Sequence, residues 1–339
     1  MHRAGCVALI FSQPRPRQAG RGHTKLHQPP VLHLGDVHRA AIGATEATTN
    51  ILRYAEKGRA LINAPAEGKG DKIVMIFTDR GPGISDMDHM FQDGMSSGDS
   101  AGLGLGAIRR LSDEFDIFSG SEVGTTIVCS FAKDSPLCAT HGVEAVGLRV
   151  CHPNEEECGD DYLLRQTPKA TDILVCDGLG HGPEAAAASL EVTEAVTATR
   201  SFNSEPGAVM REVTEKLIGK RGAVAALVHI AQPQMVLRYA ALGNIATLRV
   251  RNGEVKRLPV RDGRIGARAT RGYEETFDLE PGDLMILHSD GLKTLRDSYL
   301  PQGLLWKSPL LIAGFLLDRA FRGRDDASIV VIRIARDAD

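Results

Sequence analysis

Apolar positions along the chain follow two different periods, and the period switches several times. From Asp36 to Lys57 the residues Ala40, Ile42, Ala44, Ala47, Ile51, Leu52 and Ala55 recur at roughly helical spacing, which predicts an amphipathic helix. Lys72 to Thr78 alternates as a strand, Ala107–Leu111 reads as a helix, and Ile127–Phe131 reads as a strand again. Beyond residue 142 strands dominate: Val143–His152, Tyr162–Gln166, the run opening at Ile173, Gly222–Ala231, Met235–Leu242, Ala246–Arg251, Leu284–His288 and Ile329–Ala335. Val255–Pro259 closes a hairpin around Asn252-Gly253. Helices are predicted at Glu184–Thr199, Glu205–Ile218 and Pro309–Arg322. Gln13–Gln28 has neither period and is rich in Pro, Arg, Gly and His, so residues 1–35 are expected to be irregular, with one short strand conceivable at Val7–Phe11. The expected organisation is that segment, a domain at 36–135, a linker at 136–142 and a second domain at 143–339.

The chain has 339 residues, enough for two domains, and 42% hydrophobic residues, enough for two cores. A net charge of −3 without a basic stripe argues against a nucleic-acid partner. No apolar run reaches the length of a membrane span, and Cys6–Phe11 is too short and poorly flanked for a signal peptide. The six cysteines are scattered, which suggests a reduced, cytoplasmic, soluble protein with no membrane partner. Cys138, His141, Cys151, His152 and Cys158 lack the paired Cys-x-x-Cys spacing of common zinc folds and are not read as a metal site.

Candidate chemistry in the first half begins with Glu46 and Asn50, four apart on one helix face. The strand ending at Thr78 delivers Asp79-x-Gly81-x-Gly83. Gly102, Gly104 and Gly106 then run into a helix start, where unpaired N–H groups and the helix dipole favour a phosphate. Gly124-Thr125-Thr126 precedes the last strand of this half. This ordered set resembles the GHKL ATPase/kinase fold, and within it the anti-sigma serine kinases of the RsbT and RsbW type, over about residues 36–135. The resemblance implies a Bergerat α/β sandwich that binds ATP with Mg²⁺. Asn50 would hold the metal on the phosphates, and Glu46 would act as general base or orient a water. Asp79 would accept the adenine amino group, Gly81 and Gly83 would shape that pocket, the three later glycines would wrap the phosphates, and Thr126 would lie near the adenine end. The strand and helix that lead this family are replaced here by the Pro/Arg/His-rich segment.

The second half repeats one design: an apolar strand running to or from an aspartate in a tight turn. Asp160 follows Cys158-Gly159, Asp177 opens Asp177-Gly178-Leu179-Gly180-His181-Gly182, Asp290 sits in Ser289-Asp290-Gly291, and Asp325 opens Asp325-Asp326-Ala327-Ser328. One such turn is ordinary. Four suggest oxygen ligands for hard cations, two of which can share a carboxylate and activate a water. These motifs, with Arg221-Gly222-Ala223 and Leu242-Gly243-Asn244, resemble the SpoIIE-type metal-dependent protein phosphatases, RsbX in particular, over about residues 143–336. That implies an α/β/β/α sandwich and two Mn²⁺ or Mg²⁺ ions. Asp177 would bridge them, with Asp160 and the Gly178 carbonyl on one ion and Asp290 and Asp325 on the other. Whether Asp161 or Asp326 replaces its neighbour is left open by the sequence. His181 is a second-rank candidate for protonating the leaving group.

Together the halves form an α+β chain expected to be a serine/threonine phosphatase with a kinase-like ATP-binding domain. The expected substrate is a phosphorylated STAS-domain anti-anti-sigma protein in bacterial partner switching, and a sigma factor is a second candidate partner. Two alternatives stand beside this reading. The first domain could be a nucleotide sensor or docking module without phosphotransfer, or the whole chain a non-enzymatic anti-sigma binder.

Overall fold

The helical stripe of the first half has a sheet to cover. In the computed structural model, which describes residues 4–12, 34–55, 57–65, 72–91, 104–131, 139–140, 142–199, 205–232, 234–267 and 274–335, the chain forms two units, Met1–Ser135 and Pro136–Asp339. In the first unit α1 (Leu34–Tyr54) lies on a five-stranded sheet ordered β1 (Ala4–Ser12), β2 (Lys57–Pro65), β3 (Ile73–Asp79), β5 (Gly124–Phe131), β4 (Glu114–Gly120), with every pair antiparallel. A short α2 (Met87–Met90) and α3 (Gly104–Leu111) complete it. Ala40, Ala47 and Ile51 of α1 and Leu105 and Ile108 of α3 share one core with Met75, Phe77, Ile127, Cys129 and Phe131 of the sheet.

Residues 4–12, where a short strand at Val7–Phe11 is conceivable from sequence, form a longer strand paired along its length with β2. The apolar run Val7–Phe11 suits a strand, and β2 supplies the partner edge. Residues 13–33 lie outside the described ones.

The second unit packs two antiparallel sheets face to face. One runs β14 (Glu275–Asp278), β11 (Val236–Leu242), β10 (Ala223–Ala231), β9 (Ala170–Gly178), β8 (Asp160–Thr167). The other runs β13 (Glu254–Arg257), β12 (Ala246–Arg251), β15 (Leu284–His288), β16 (Ala327–Ile334), β7 (Val143–Val150), β6 (Ala139–Thr140). The period of two sorts the side chains cleanly. Ile173 and Val175 of β9 and Val228 and Ile230 of β10 face the second sheet and meet Met285, Leu287, Val330 and Ile332. Their neighbours Leu174, Cys176, Ala225 and Leu227 face outward onto α4 (Pro183–Ala198) and α5 (Pro206–Lys216), through Val192, Val196, Val209 and Val213. A largely buried helix, α6 (Pro309–Ala320), covers β7 and β16 from the other side and is capped by Ser308, whose hydroxyl accepts from Leu311 N. The result is the expected α/β/β/α layering. Among the described residues no helix is long and apolar enough to cross a membrane.

Candidate functional site

Strand alternation decides which aspartates meet in the second unit. Asp160 and Asp177 are direct register partners across β8 and β9. Asp177 shares the parity of Ile173 and Val175, and Asp160 that of Tyr162 and Leu164, so both lie on the face between the sheets. Asp161 has the opposite parity. It accepts from Arg149 at 2.7 Å and from Thr193 Oγ1 of α4 at 2.9 Å, which accounts for both of its oxygens. Asp290 follows β15 and Asp325 and Asp326 precede β16, at the same end of the sandwich.

The electrostatics are those of crowded carboxylates. Asp160 is 1% exposed, and neither carboxylate oxygen completes a hydrogen bond. Burial pushes its pKa up to about 7, against the opposing pull of the nearby Ser289 and Ser328 hydroxyls. Asp177 is pushed further, to about 9, by burial and then by the charges of Asp160, Asp290, Asp325 and Asp326. Burial and Asp325 also raise Asp290. Asp290 Oδ2 accepts from Asn244 Nδ2 at 2.7 Å, which fixes its rotamer. Asp325 Oδ1 accepts from Asp326 N at 2.9 Å. The buried Asp326 spends one oxygen on His152 N at 2.8 Å and leaves Oδ2 without a partner. Gly178 is required sterically, because a Cβ there would stand 2.1 Å from the Ala185 carbonyl oxygen. His181, on the turn after Asp177, is exposed and hydrogen-bonded through Nδ1 to Glu155 at 2.8 Å.

Orphaned buried oxygens, raised carboxylate pKa values and an all-oxygen donor set fit hard divalent cations. The ligands expected from sequence, Asp160, Asp177, the Gly178 backbone, Asp290 and Asp325, are all at this end.

In the first unit a cavity of about 290 Å³ opens beside α1, at the small end of ligand-pocket volumes. Asn50, Asp79, Gly81 and Gly83 line it, with Tyr54, Leu105 and Thr125 among the other walls. Asp79 Oδ1 accepts from Gly81 N at 2.8 Å and Thr125 N at 3.1 Å, so the carboxylate is held rigidly at the wall. Gly83 has φ +73°, and a Cβ there would meet the Gly120 backbone at 2.4 Å. Gly104 and Gly106 fall in the first turn of α3, and Gly102 lies outside the described residues. Two of the expected residues, Thr126 and Glu46, are not among those lining the cavity. Thr125, not Thr126, lines the cavity: it shares strand parity with Ile127, whereas Thr126 points to the other face and is buried there. Glu46 sits one turn before Asn50 but is not among the lining residues.

Residues 24–131 match the histidine kinase-like ATPase domain family, and residues 167–335 match the family of stage II sporulation protein E (SpoIIE). The chain belongs to both: a histidine kinase-like ATPase domain is joined to a SpoIIE domain. The ATPase domain is similar to the serine/threonine-protein kinase RsbT of Bacillus subtilis strain 168, at 36% identity over 131 residues, 38% of this chain and 95% of RsbT. The SpoIIE domain is similar to the phosphoserine phosphatase RsbX of the same strain, at 28% identity over 137 residues, 40% of this chain and 67% of RsbX. A crystal structure of RsbX in complex with magnesium shares its fold (TM-score 0.52, 22% identity, 57% of this chain and 96% of that one).

Sequence reasoning missed Asn244 as the group that orients Asp290, although it quoted Leu242-Gly243-Asn244 as a motif. It also left the Asp160/Asp161 choice open. The parity of Tyr162 and Leu164 with Asp160 was the available signal.

Proposed function

We propose that the SpoIIE domain hydrolyses a phosphoserine or phosphothreonine ester on a STAS-domain anti-anti-sigma protein, with two Mn²⁺ or Mg²⁺ ions, and that the ATPase domain binds ATP with Mg²⁺. The observation that carries this reading is the buried, unpartnered Asp160 carboxylate directly opposite Asp177. Near neutral pH the pair is only partly relieved by protons and by the Ser289 and Ser328 hydroxyls, and divalent cations would relieve it further. Similarity to RsbX and the magnesium in its crystal structure support the same chemistry.

In this reading Asp160, Asp177, the Gly178 carbonyl, Asp290 and Asp325 would hold the ions. Bound there, the ions would lower the pKa of a water and neutralise the phosphoryl oxygens. Asn244 keeps Asp290 turned toward the centre. His181, steadied by Glu155, stands at the mouth and can hand a proton to the departing serine alkoxide. No side chain need form a bond to phosphorus. The test is phosphate release from a phosphoserine STAS protein with Mn²⁺, comparing wild type with Asp177→Asn. Release that the variant loses supports the assignment. Absence of release with either Mn²⁺ or Mg²⁺ removes it.

In the ATPase domain Asn50 and Asp79 line the cavity, which supports nucleotide binding. Asn50→Ala is expected to abolish ATP binding and to leave phosphate release intact. ATP-dependent labelling of the STAS protein by wild type, lost in Glu46→Gln, would instead establish a kinase.

A further inference from the structure

The loop between β7 and β8 carries two cysteines that the phosphatase reading does not use. In the β7–β16 ladder Val150 is the register partner of Ala327, so the residues one step further out, Cys151 and Asp326, emerge side by side. Cys158 comes back to the same point just before Gly159-Asp160. The two sulfurs and an Asp326 carboxylate oxygen all lie within 4.8 Å of one another. Asp326 is 2% exposed, its Oδ1 is oriented by His152 N, and its Oδ2 is buried without a partner. A buried carboxylate with an unpartnered oxygen beside two thiols is a costly arrangement unless something positive binds among them.

We propose that Cys151, Cys158 and Asp326 form a site for a thiophilic divalent cation, Zn²⁺ by chemical class, separate from the all-oxygen centre beside it. Two thiolates and one carboxylate are ordinary zinc donors, and a water completes the tetrahedron. Softness divides the metals: thiolates select Zn²⁺, and carboxylates and carbonyls select Mg²⁺ or Mn²⁺. The hydrogen bond from His152 N to Asp326 is the outer support that metal ligands commonly have. The site would clip the loop at 151–158 onto the start of β16, and so fix the chain on both sides of Asp160.

A nearby group, His152, Glu155 and His181, has its ligand atoms equally close but carries no such site. Its imidazole rings are stacked, with centroids 4.7 Å apart and planes only 14° from parallel. An ion must lie in the plane of each ring that binds it, and two parallel planes offer no common point.

The test is Co²⁺ substitution of the full chain, purified under reducing conditions. Thiolate-to-Co²⁺ charge transfer gives a near-ultraviolet band that oxygen ligands do not. The band is expected in wild type and in Asp177→Asn, and is lost in Cys151→Ser and Cys158→Ser. Zn²⁺ should displace the cobalt and protect two thiols from a disulfide reagent until a chelator is added. The proposal is overturned by absence of the band in wild type, or by a band that Asp177→Asn removes and Cys151→Ser keeps. Thiols equally reactive with and without Zn²⁺, or non-reducing peptide maps that join Cys151 to Cys158 in protein kept under reductant, would overturn it too. Because Asp177→Asn separates the centres, failure here leaves the phosphatase reading standing, and the converse also holds.

Discussion

Asp160 and Asp177 are held apart from their ordinary acidity by where the fold puts them, and that has a measurable sign. Each has an ordinary pKa of 3.8; burial, with neighbouring carboxylates, raises them to about 7 and about 9. Between those limits the folded protein holds protons that the unfolded chain has released. Stability of the metal-free protein therefore falls as pH climbs from about 4 toward 9. Thermal melts with chelator should show a decreasing midpoint over that range, and saturating Mn²⁺ should flatten the slope. A metal-free midpoint that rises with pH would contradict the carboxylate cluster. Asn244 acts one bond further out. Asn244→Ala is expected to weaken Mn²⁺ binding by about 10–100-fold, the usual cost of an outer-shell partner, as titration calorimetry would show. Residue-level roles were the least legible part of the sequence. Thr125 and Thr126 are chemically identical neighbours, and only the side of the strand distinguishes them.

Elements were easier to read where their apolar period was strong. The α1 stripe and the apolar runs of β7, β9, β10, β15 and β16 needed no partner to be recognised, because α1 buries one face and strands such as β9, β15 and β16 bury nearly every residue. The strands β2 and β14 were not anticipated. The first contains Gly58 and two basic residues and owes its conformation to pairing on both sides with β1 and β3. The second has four residues and pairs only with β11. Parity within β8 leads to a further prediction. Asp161, on the helix-facing side, ties β8 to Arg149 of β7 and Thr193 of α4. Asp161→Asn should cost about 1.5–3 kcal/mol, as loss of charge-assisted hydrogen bonds does. It should leave the number of bound Mn²⁺ ions unchanged. A chemical denaturation curve and a metal count together check this, and loss of an ion in the variant would make Asp161 a ligand.

For the whole molecule, the order of the two motif sets was visible because each motif is compact in sequence and each unit builds its own core. The grouping of Cys151 and Cys158 with Asp326 was not visible. It depends on a β7–β16 pairing that joins residues far apart in the chain. Each unit having its own core predicts that residues 136–339 alone keep Mn²⁺-dependent phosphate release. ATP at a hundredfold excess over Kd should stabilise the full chain by about 2.7 kcal/mol, seen as a higher melting temperature, and leave the fragment unaffected. Fragment melts with and without each ligand would decide it. The β7–β16 ladder also sets an order of completion during synthesis. Every described strand of the first unit is made before residue 132, so that unit can close while the ribosome is still translating the remainder. The hydrolytic half cannot, because β7, its first long strand, waits for β16, its last, and Asp160 and Asp177 wait with it for Asp325. A nascent chain thus completes its first unit well before its second, and a proteolytic clip between β7 and Ala327 would part the two strands on which the second unit closes.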